Sequence, residues 1–399
     1  MKVKPEGESL PAGAPGRLTR GLMALLASTV FVTAGAMHLQ TPMLERIGAE
    51  FGATPAAVGW IPTLAFAGFL AGTLFLIPLG DRYDKRTLIL AKLGALLIAV
   101  AAMALAPTLQ VLWIASFVIG VCASLSQHIV PLVAELAQPE ARGNAVGTVL
   151  SGLFLGILFA RVVGGLVAAT LGWRAMYAIS FAMLVAIAIA LAWRLPHAPA
   201  RTAHGYRELM RSLGHLFASN AALRRASMTQ FLLGIGYGGF WATIAPMMHV
   251  IHHLGPAATG LIGIPGASGT LISRSAGRWM DRRGVGPVVT VGIVLAMSSF
   301  AVFAAGAVWV FALVIGAVLL DCGLRAAMVA NQTLVTSVDP SARSRLNTVF
   351  AGHVWGGNAV GAFVASTTFT HFGWWPVCGI SFVAAAAAML LHHRGGAHA

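Results

Sequence analysis

Long apolar runs recur along the chain from residue 20 to residue 391, separated by short polar segments. Each run is long enough to cross about 30 Å of hydrocarbon as a helix, because an α-helix rises 1.5 Å per residue. The pattern predicts an all-α membrane protein with twelve transmembrane helices. The predicted spans are roughly 20–41, 55–79, 87–106, 109–136, 142–170, 173–193, 225–250, 256–278, 286–306, 308–337, 344–370 and 373–391.

Lysine and arginine are distributed unevenly between the two ends of these spans. If the N-terminus is cytoplasmic, 21 of the 26 Lys and Arg lie in cytoplasmic segments, with Lys92 counted in the connection 80–92. Only Arg46 and Arg174 lie on the other side. Cytoplasmic loops carry such an excess, so we expect a bacterial inner-membrane protein with both termini in the cytoplasm. The net charge of +14 then reflects topology and does not indicate a nucleic-acid partner.

The composition and motifs give no sign of catalysis. The chain is 58% hydrophobic and 10% charged, whereas a soluble protein is about a quarter charged. Its three cysteines lie in apolar runs without the spacing of a disulfide or metal site. The stretch GIGYGG (234–239) has the glycine pattern of a dinucleotide site, but no strand precedes it. We expect no cofactor, no metal and no enzymatic activity, with a membrane-embedded enzyme as a remote alternative.

The chain repeats itself at a distance of about 200 residues. QPEARGNAVGTV (138–149) matches DPSARSRLNTV (339–349), LGWRAM (171–176) matches FGWWPV (372–377), and PLGDRYDKR (78–86) matches AGRWMDRRG (276–284). Six spans return the chain to the same side, so the two halves are parallel, and substrate sites between such repeats lie near the midplane. The predicted divisions are a cytoplasmic tail 1–19, a first half 20–193, a cytoplasmic linker 194–224, a second half 225–391 and a tail 392–399.

Within the linker, YRELMRSLGHLF (206–217) places its apolar residues on one face of a helix. Such a helix is expected to anchor on the cytoplasmic membrane surface. A regulatory role is the alternative.

Two six-span halves, each with an Asp-Arg pair between its second and third spans, resemble the major facilitator superfamily over residues 20 to 391. The family's loop motif is kept as GRWMDRRG (277–284), whereas Ile77 and Asp84 replace the two glycines of the first half. GILFARVVGG (156–165) resembles the antiporter motif of the drug:proton branch, with Ala160-Arg161 in place of Gly-Pro. Ser116 stands where that branch has an arginine.

The resemblance implies a major facilitator fold of two parallel six-helix repeats that works by alternating access. It favours a monomeric, proton-coupled exporter of a small organic molecule or drug, whose partners are the substrate, protons and the lipid bilayer. Proton-coupled uptake of a small metabolite is the alternative. In the family, the loop acid stabilises one gate conformation with neighbouring helix ends and cations. The implied gate residues are Asp81, Arg82, Glu135, Arg142, Asp281, Arg282 and Arg343.

Polar residues inside the spans are costly in lipid and usually face a bundle interior or an aqueous cavity. In the family, the first, fourth, seventh and tenth spans line the central cavity. For each candidate, hydrogen bonding between helices or aromatic packing is the alternative to substrate contact. The candidate cavity residues are Gln127, His128, Tyr237, Trp241, Asn331 and Gln332.

Asp321 and Arg325 lie inside the apolar stretch VIGAVLLDCGLRAAM (314–328). If the span starts near Trp309, Asp321 is about 18 Å along it, close to the midplane. Arg325 follows four residues later on the same helix face, so the two are expected to form a pair. That pair is either purely structural or a proton-coupling site, because a carboxyl group here can be protonated in one conformation and ionised in another. Arg161 is a third coupling candidate, unless its side chain reaches the membrane surface.

The charge distribution predicts the sidedness of the chain. With a cysteine introduced at Gly205 or Gly255, an impermeant thiol reagent should label residue 255, but not residue 205, in intact cells. The three native cysteines lie in predicted spans and supply the background control. Labelling of residue 205 from outside would overturn the topology.

Overall fold

The computed structural model describes residues 18–197, 206–266, 276, 278–280, 282–339 and 342–394. Arg274, Asp281 and the side chain of Asp81 lie outside this part, as do most of both predicted tails and residues 198–205 of the linker. The α-helices are α1 Arg20–His38, α2 Leu44–Phe51, α3 Pro55–Ala71, α4 Lys85–Leu105, α5 Leu109–Ala123, α6 Ser126–Leu136, α7 Arg142–Thr170, α8 Trp173–Arg194, α9 Tyr206–Ser219, α10 Ala221–His252, α11 Pro256–Leu261, α12 Gly263–Gly266, α13 Val285–Ala305, α14 Phe311–Ser337, α15 Arg343–Phe372 and α16 Trp374–His393.

Within the described residues, ten helical segments are long and apolar enough to cross a membrane. The predicted eleventh span is α15, which is 30 residues long but carries more polar residues. The predicted eighth span begins with α11 and α12 and continues outside the described part. The prediction of an all-α membrane protein is confirmed.

The helix ends are set by local chemistry. The side-chain oxygens of Thr19, Thr54 and Asn220 accept hydrogen bonds from backbone N–H groups three residues further on, at 3.2, 3.3 and 2.9 Å. These bonds satisfy donors that a helix start leaves unpaired. Gly172 and Gly373, matched in the sequence repeat, precede α8 and α16 with φ of 87° and 76°. Positive φ is a conformation that glycine adopts without steric cost.

The second and fourth spans depart from regular helix. The second continues from α3 into a π-helical turn, Gly72–Leu76, and a 3-10 turn, Pro78–Asp81. The fourth is divided into α5 and α6 around Ser124, whose hydroxyl group donates to the carbonyl of Val121 at 2.7 Å. Such side-chain bonds and π-turns are common causes of helix kinks.

The main hydrophobic core of the first half extends to four alanines of the second, which has a further core of its own, and one close helix contact recurs in both halves. In the first half, a Cβ on Gly156 of α7 would collide with the carbonyl oxygen of Phe31 on α1. In the second half, a Cβ on Gly357 of α15 would collide with the carbonyl oxygen of Phe231 on α10. In lipid, small residues let backbones approach closely, and here they do so at equivalent positions of the repeat.

The halves pack against each other through α3 with α15 and through α7 with α11. Gly59 of α3 faces Ser366 of α15 without room for a Cβ. Across the other contact, Gly260 of α11 lies against the backbone of Arg161 on α7. We call the end of the bundle that carries α9 the linker end and the opposite end the far end.

The linker helix α9 contacts both halves at the linker end. The Tyr206 hydroxyl group donates to the carbonyl of Phe75 in the first half at 3.1 Å. The Phe217 ring stacks on His353 of the second half at 4.7 Å between centroids. Leu213, between them, is buried. The apolar face predicted for membrane anchoring therefore packs on protein.

The repeated glycine contact predicts a stability difference between two alanine substitutions. Gly357→Ala places a methyl group against the Phe231 carbonyl, which should lower the free energy of unfolding by about 1–3 kcal/mol. Gly379→Ala, whose Cβ would meet nothing within 4 Å, should be neutral or slightly stabilising. The measurement is thermal unfolding in detergent, followed by tryptophan fluorescence. Equal midpoints for the two variants would contradict the packing assignment.

Candidate functional site

Asp321 lies in the interior of α14 and is only 2% exposed. Its Oδ2 atom has no hydrogen-bond partner among the described residues. The charges that act on this carboxyl group are those of Arg161, from the first half, and Arg325, from its own helix. Cations from both halves therefore act on Asp321.

The predicted direct contact between the side chains of Asp321 and Arg325 is wrong. Among the described residues, the two side chains form no ion pair. Arg325 instead lies over the ring of Phe154 on α7, with its guanidinium carbon 5.0 Å from the ring centroid. The i, i+4 spacing makes a pair possible, but an aromatic face on the facing helix draws the guanidinium group away.

Arg161 is buried at 4% exposure, so the alternative in which it reaches the membrane surface is wrong. Its guanidinium carbon lies 3.3 Å from the ring centroid of Trp241, and its Nη2 donates to the Tyr237 hydroxyl group at 3.3 Å. A Cβ on Gly263 of α12 would lie 2.9 Å from the Cβ of Arg161. Arg161 therefore belongs to the first half but is held by the second, with its Nε unpartnered.

His38 was not among the residues predicted from sequence. It is buried near the end of α1, and its Nδ1 lies 2.9 Å from the carbonyl oxygen of Ala34. Because a carbonyl only accepts, Nδ1 carries the proton and Nε2 is the acceptor in the neutral ring. The charges of Arg161 and Arg325 also act on this ring. We call Arg161, Tyr237 and Trp241, which contact one another directly, the Arg161 cluster.

The six predicted cavity residues fall into separate groups within the described part of the chain. Tyr237 and Trp241 are buried beside Arg161, as described above. Asn331 is buried with its Nδ2 unpartnered, whereas Gln332 donates to Asn347 Oδ1 on α15 at 2.7 Å. The pair Gln127 and His128 lies at a different depth in the bundle from the pair Tyr237 and Trp241, and sequence periodicity does not fix depth.

Gln127 and His128 line a smaller cavity at the linker end, of about 110 Å³. His128 is buried with its Nε2 3.1 Å from the carbonyl oxygen of Leu76, so it bridges the fourth and second spans. The wall also includes Leu213 of α9 and Arg345 of the second half. These two predicted residues therefore lie on the linker side of the Arg161 cluster.

Besides His38, two more buried polar residues were missed. Lys92, counted with a loop, lies in α4 and donates to the Ser124 hydroxyl group at 2.7 Å. Gln230 of α10 is fully buried, and neither atom of its amide group has a partner among the described residues. It precedes Tyr237 by two helical turns and lies on the same face. A polar residue in an otherwise apolar run was the signal available for both.

The described gate residues, which exclude Asp281 and the side chain of Asp81, are at the linker end. Glu135 forms an ion pair with Lys85 at 2.6 Å. Arg82 is exposed and lies 6.0 Å from the ring centroid of Tyr83. The gate network remains a prediction, because Asp281 and the side chain of Asp81 lie outside the described residues. The predicted gate cations Arg142, Arg282 and Arg343 are exposed as well.

At the far end, α2 and α3 of the first half and α10 of the second enclose a larger cavity of about 320 Å³. Glu45 and His249 face each other across the halves at 3.4 Å. The cavity wall includes Ala242, the residue after Trp241, so this space approaches the Arg161 cluster. Its wall is mainly apolar.

Several known proteins are similar to this chain in sequence or in fold. It is 32% identical to the uncharacterized transporter YgaY of Escherichia coli O157:H7, over 95% of this chain and 96% of that protein. It is 23% identical to the multidrug resistance protein B homolog of Mycobacterium tuberculosis, over 90% of this chain and 78% of that one. The crystal structure of the nucleoside transporter NupG has a similar fold, with a TM-score of 0.74 at 15% identity, covering 94% of this chain and 97% of that one.

Residues 26–297 match the family model described as Major Facilitator Superfamily. This match extends over more than half of the chain, and the two-half helical structure agrees with it. The chain belongs to the major facilitator superfamily of transporters.

Proposed function

We propose that this multi-pass membrane transporter moves a small organic molecule together with, or in exchange for, protons, and that Asp321 carries the proton. The observation that supports the proposal is the carboxyl group of Asp321, which is buried with an unpartnered oxygen inside α14. Ionisable groups at such depth are rare because they are costly, and they mark ion and substrate pathways.

The two arginines give this carboxyl group a means of responding to movement. Arg325 moves with Asp321 because both are on α14, whereas Arg161 belongs to the first half. When the halves rock, the distance from Asp321 to Arg161 changes while that to Arg325 is kept. Nearby charges determine the cost of ionising a buried acid, so Asp321 can take up a proton in one conformation and release it in the other.

Export in exchange for protons is the direction that the sequence resemblance favours. GILFARVVGG (156–165) resembles the antiporter motif, and a relative that aligns with 90% of this chain is named a multidrug resistance protein B homolog. We place the linker end and both termini in the cytoplasm of a bacterial inner membrane, following the charge distribution. In this arrangement a monomer expels its substrate through the far end.

Uptake by symport is the second candidate, and the charge of the site favours it. Two arginines act on the single acid Asp321, and this excess of positive charge attracts an anion rather than a cationic drug. The sign of proton exchange separates the candidates. Substrate binding releases protons if the two compete and takes them up if they bind together.

Asp321→Asn should abolish the proton exchange that accompanies substrate binding, because an amide group does not ionise. A growth-inhibition panel on cells lacking and overproducing the protein identifies the compound. Proton exchange on its addition is then measured with a pH dye in weakly buffered detergent solution. The variant should fall to the level of protein-free micelles, while Asp321→Glu, which keeps an acid, retains part of the signal. Undiminished exchange in a folded Asp321→Asn protein would remove Asp321 from the mechanism.

Asp81→Asn should slow transport without abolishing equilibrium binding. Asp81 ends the 3-10 turn at the linker end, far from Asp321, where the family resemblance implies a gate. The exposed acid Glu140 at the same end provides the matched control Glu140→Gln, which should transport at the wild-type rate. Loss of binding in a folded Asp81→Asn protein would contradict the gate assignment.

A further inference from the structure

The charges around Asp321 do not balance, and we propose that the substrate supplies the missing one. The inferred substrate is an organic anion with an apolar, preferably aromatic, body and a planar anionic head group such as a carboxylate. This inference rests on the proposed substrate site, but not on the proposed direction of transport.

The charge inventory of the site is short. Its cations are Arg161 and Arg325. The charges of both act on Asp321 and on His38. Arg161 is buried and Arg325 is half-buried. Of the twelve Asp and Glu in the sequence, Asp321 alone lies deep in a span. The region therefore carries at least one uncompensated positive charge, which is costly away from water.

Both arginines rest on neutral partners that an anion can replace. Arg161 contacts the Trp241 ring and the Tyr237 hydroxyl group, and its Nε donor is unpartnered. Arg325 rests over Phe154. A guanidinium group binds a planar carboxylate through two parallel hydrogen bonds, and these are stronger than bonds to a neutral hydroxyl group.

The surroundings suit the apolar body of such a molecule. Phe240 packs edge-on against Trp241 at 5.0 Å between centroids, which extends the aromatic wall beside Arg161. The far-end cavity of about 320 Å³ reaches Ala242 beside this wall. Its volume is at the lower end of the range for small-molecule sites, about 300–1,000 Å³.

An anion at this site also determines the sign of coupling. Ionised Asp321 and a bound anion compete for the same two guanidinium groups, so the anion binds best when Asp321 is protonated. By reciprocity, anion binding draws in a proton. Besides the carboxyl group of Asp321, the imidazole ring of His38 is a titratable group on which Arg161 and Arg325 act. The variant His38→Gln is therefore needed to assign the proton to Asp321. Co-binding of proton and substrate is the property of a symporter.

The test uses the purified full chain in detergent and matched probes that differ in charge. The probes are benzoate, 1-naphthoate and anthracene-9-carboxylate, each beside its primary amide and its aminomethyl counterpart. Thermal unfolding is measured against concentration of each probe. At least one carboxylate should raise the unfolding midpoint more than its amide, and the amine should not raise it.

Variants locate the binding. Arg161→Gln and Arg325→Gln should each weaken carboxylate binding about tenfold or more, whereas Arg207→Gln, on the exposed face of α9, should not change it. Asp321→Asn should bind the carboxylate at least as tightly as the wild type but without proton uptake, and His38→Gln should keep the uptake. If no carboxylate stabilises the protein more than its amide, or if both arginine variants bind normally, the proposal is wrong.

The anion class and the proton role of Asp321 can fail separately. Carboxylate binding that depends on both arginines, with normal proton uptake in Asp321→Asn, would remove the proton role and keep the anion class. Proton exchange that depends on Asp321 but accompanies only neutral or cationic compounds would do the reverse.

Discussion

The hydrocarbon core offers no water to polar groups, and most of this structure follows from that constraint. Each charge within the bundle must find a partner inside the protein, or its cost is not offset. Lys92 uses a serine hydroxyl group and Arg161 uses an aromatic face and a phenol. These partners are available only because glycines bring the helix backbones close enough for short-range contact. The close packing of the helices therefore also determines where charged side chains can lie within the bundle.

The spans and the two halves could be predicted because hydropathy and the repeat are local properties of the sequence. The same holds for Asp321, since an acid in an apolar run stands out without any knowledge of its neighbours. The partners could not be predicted. Phe154 and Trp241, on which the arginines rest, are separated from them by long stretches of sequence, and no periodicity connects them.

Depth was the second source of error. Lys92 was counted with the connection 80–92, although the predicted span 87–106 contains it. The structure places it in α4, which begins seven residues earlier at Lys85. Gln127 and Gln332 were grouped with Tyr237 because they occupy equivalent spans, yet they lie nearer the linker end. Sequence assigns a residue to a helix more easily than to a level of the membrane.

The linker helix has a consequence for the transport cycle. Its two ends are attached to different halves, at the Phe75 carbonyl through Tyr206 and at His353 through Phe217. While both contacts are kept, α9 holds the two halves at a constant separation at the linker end. The halves can part at the linker end only after one attachment is released, and the single hydrogen bond of Tyr206 is weaker than the buried apolar face on the second half. Helix α9 would then move with the second half, and the Tyr206 hydrogen bond to the first half would form again at the end of each transport cycle.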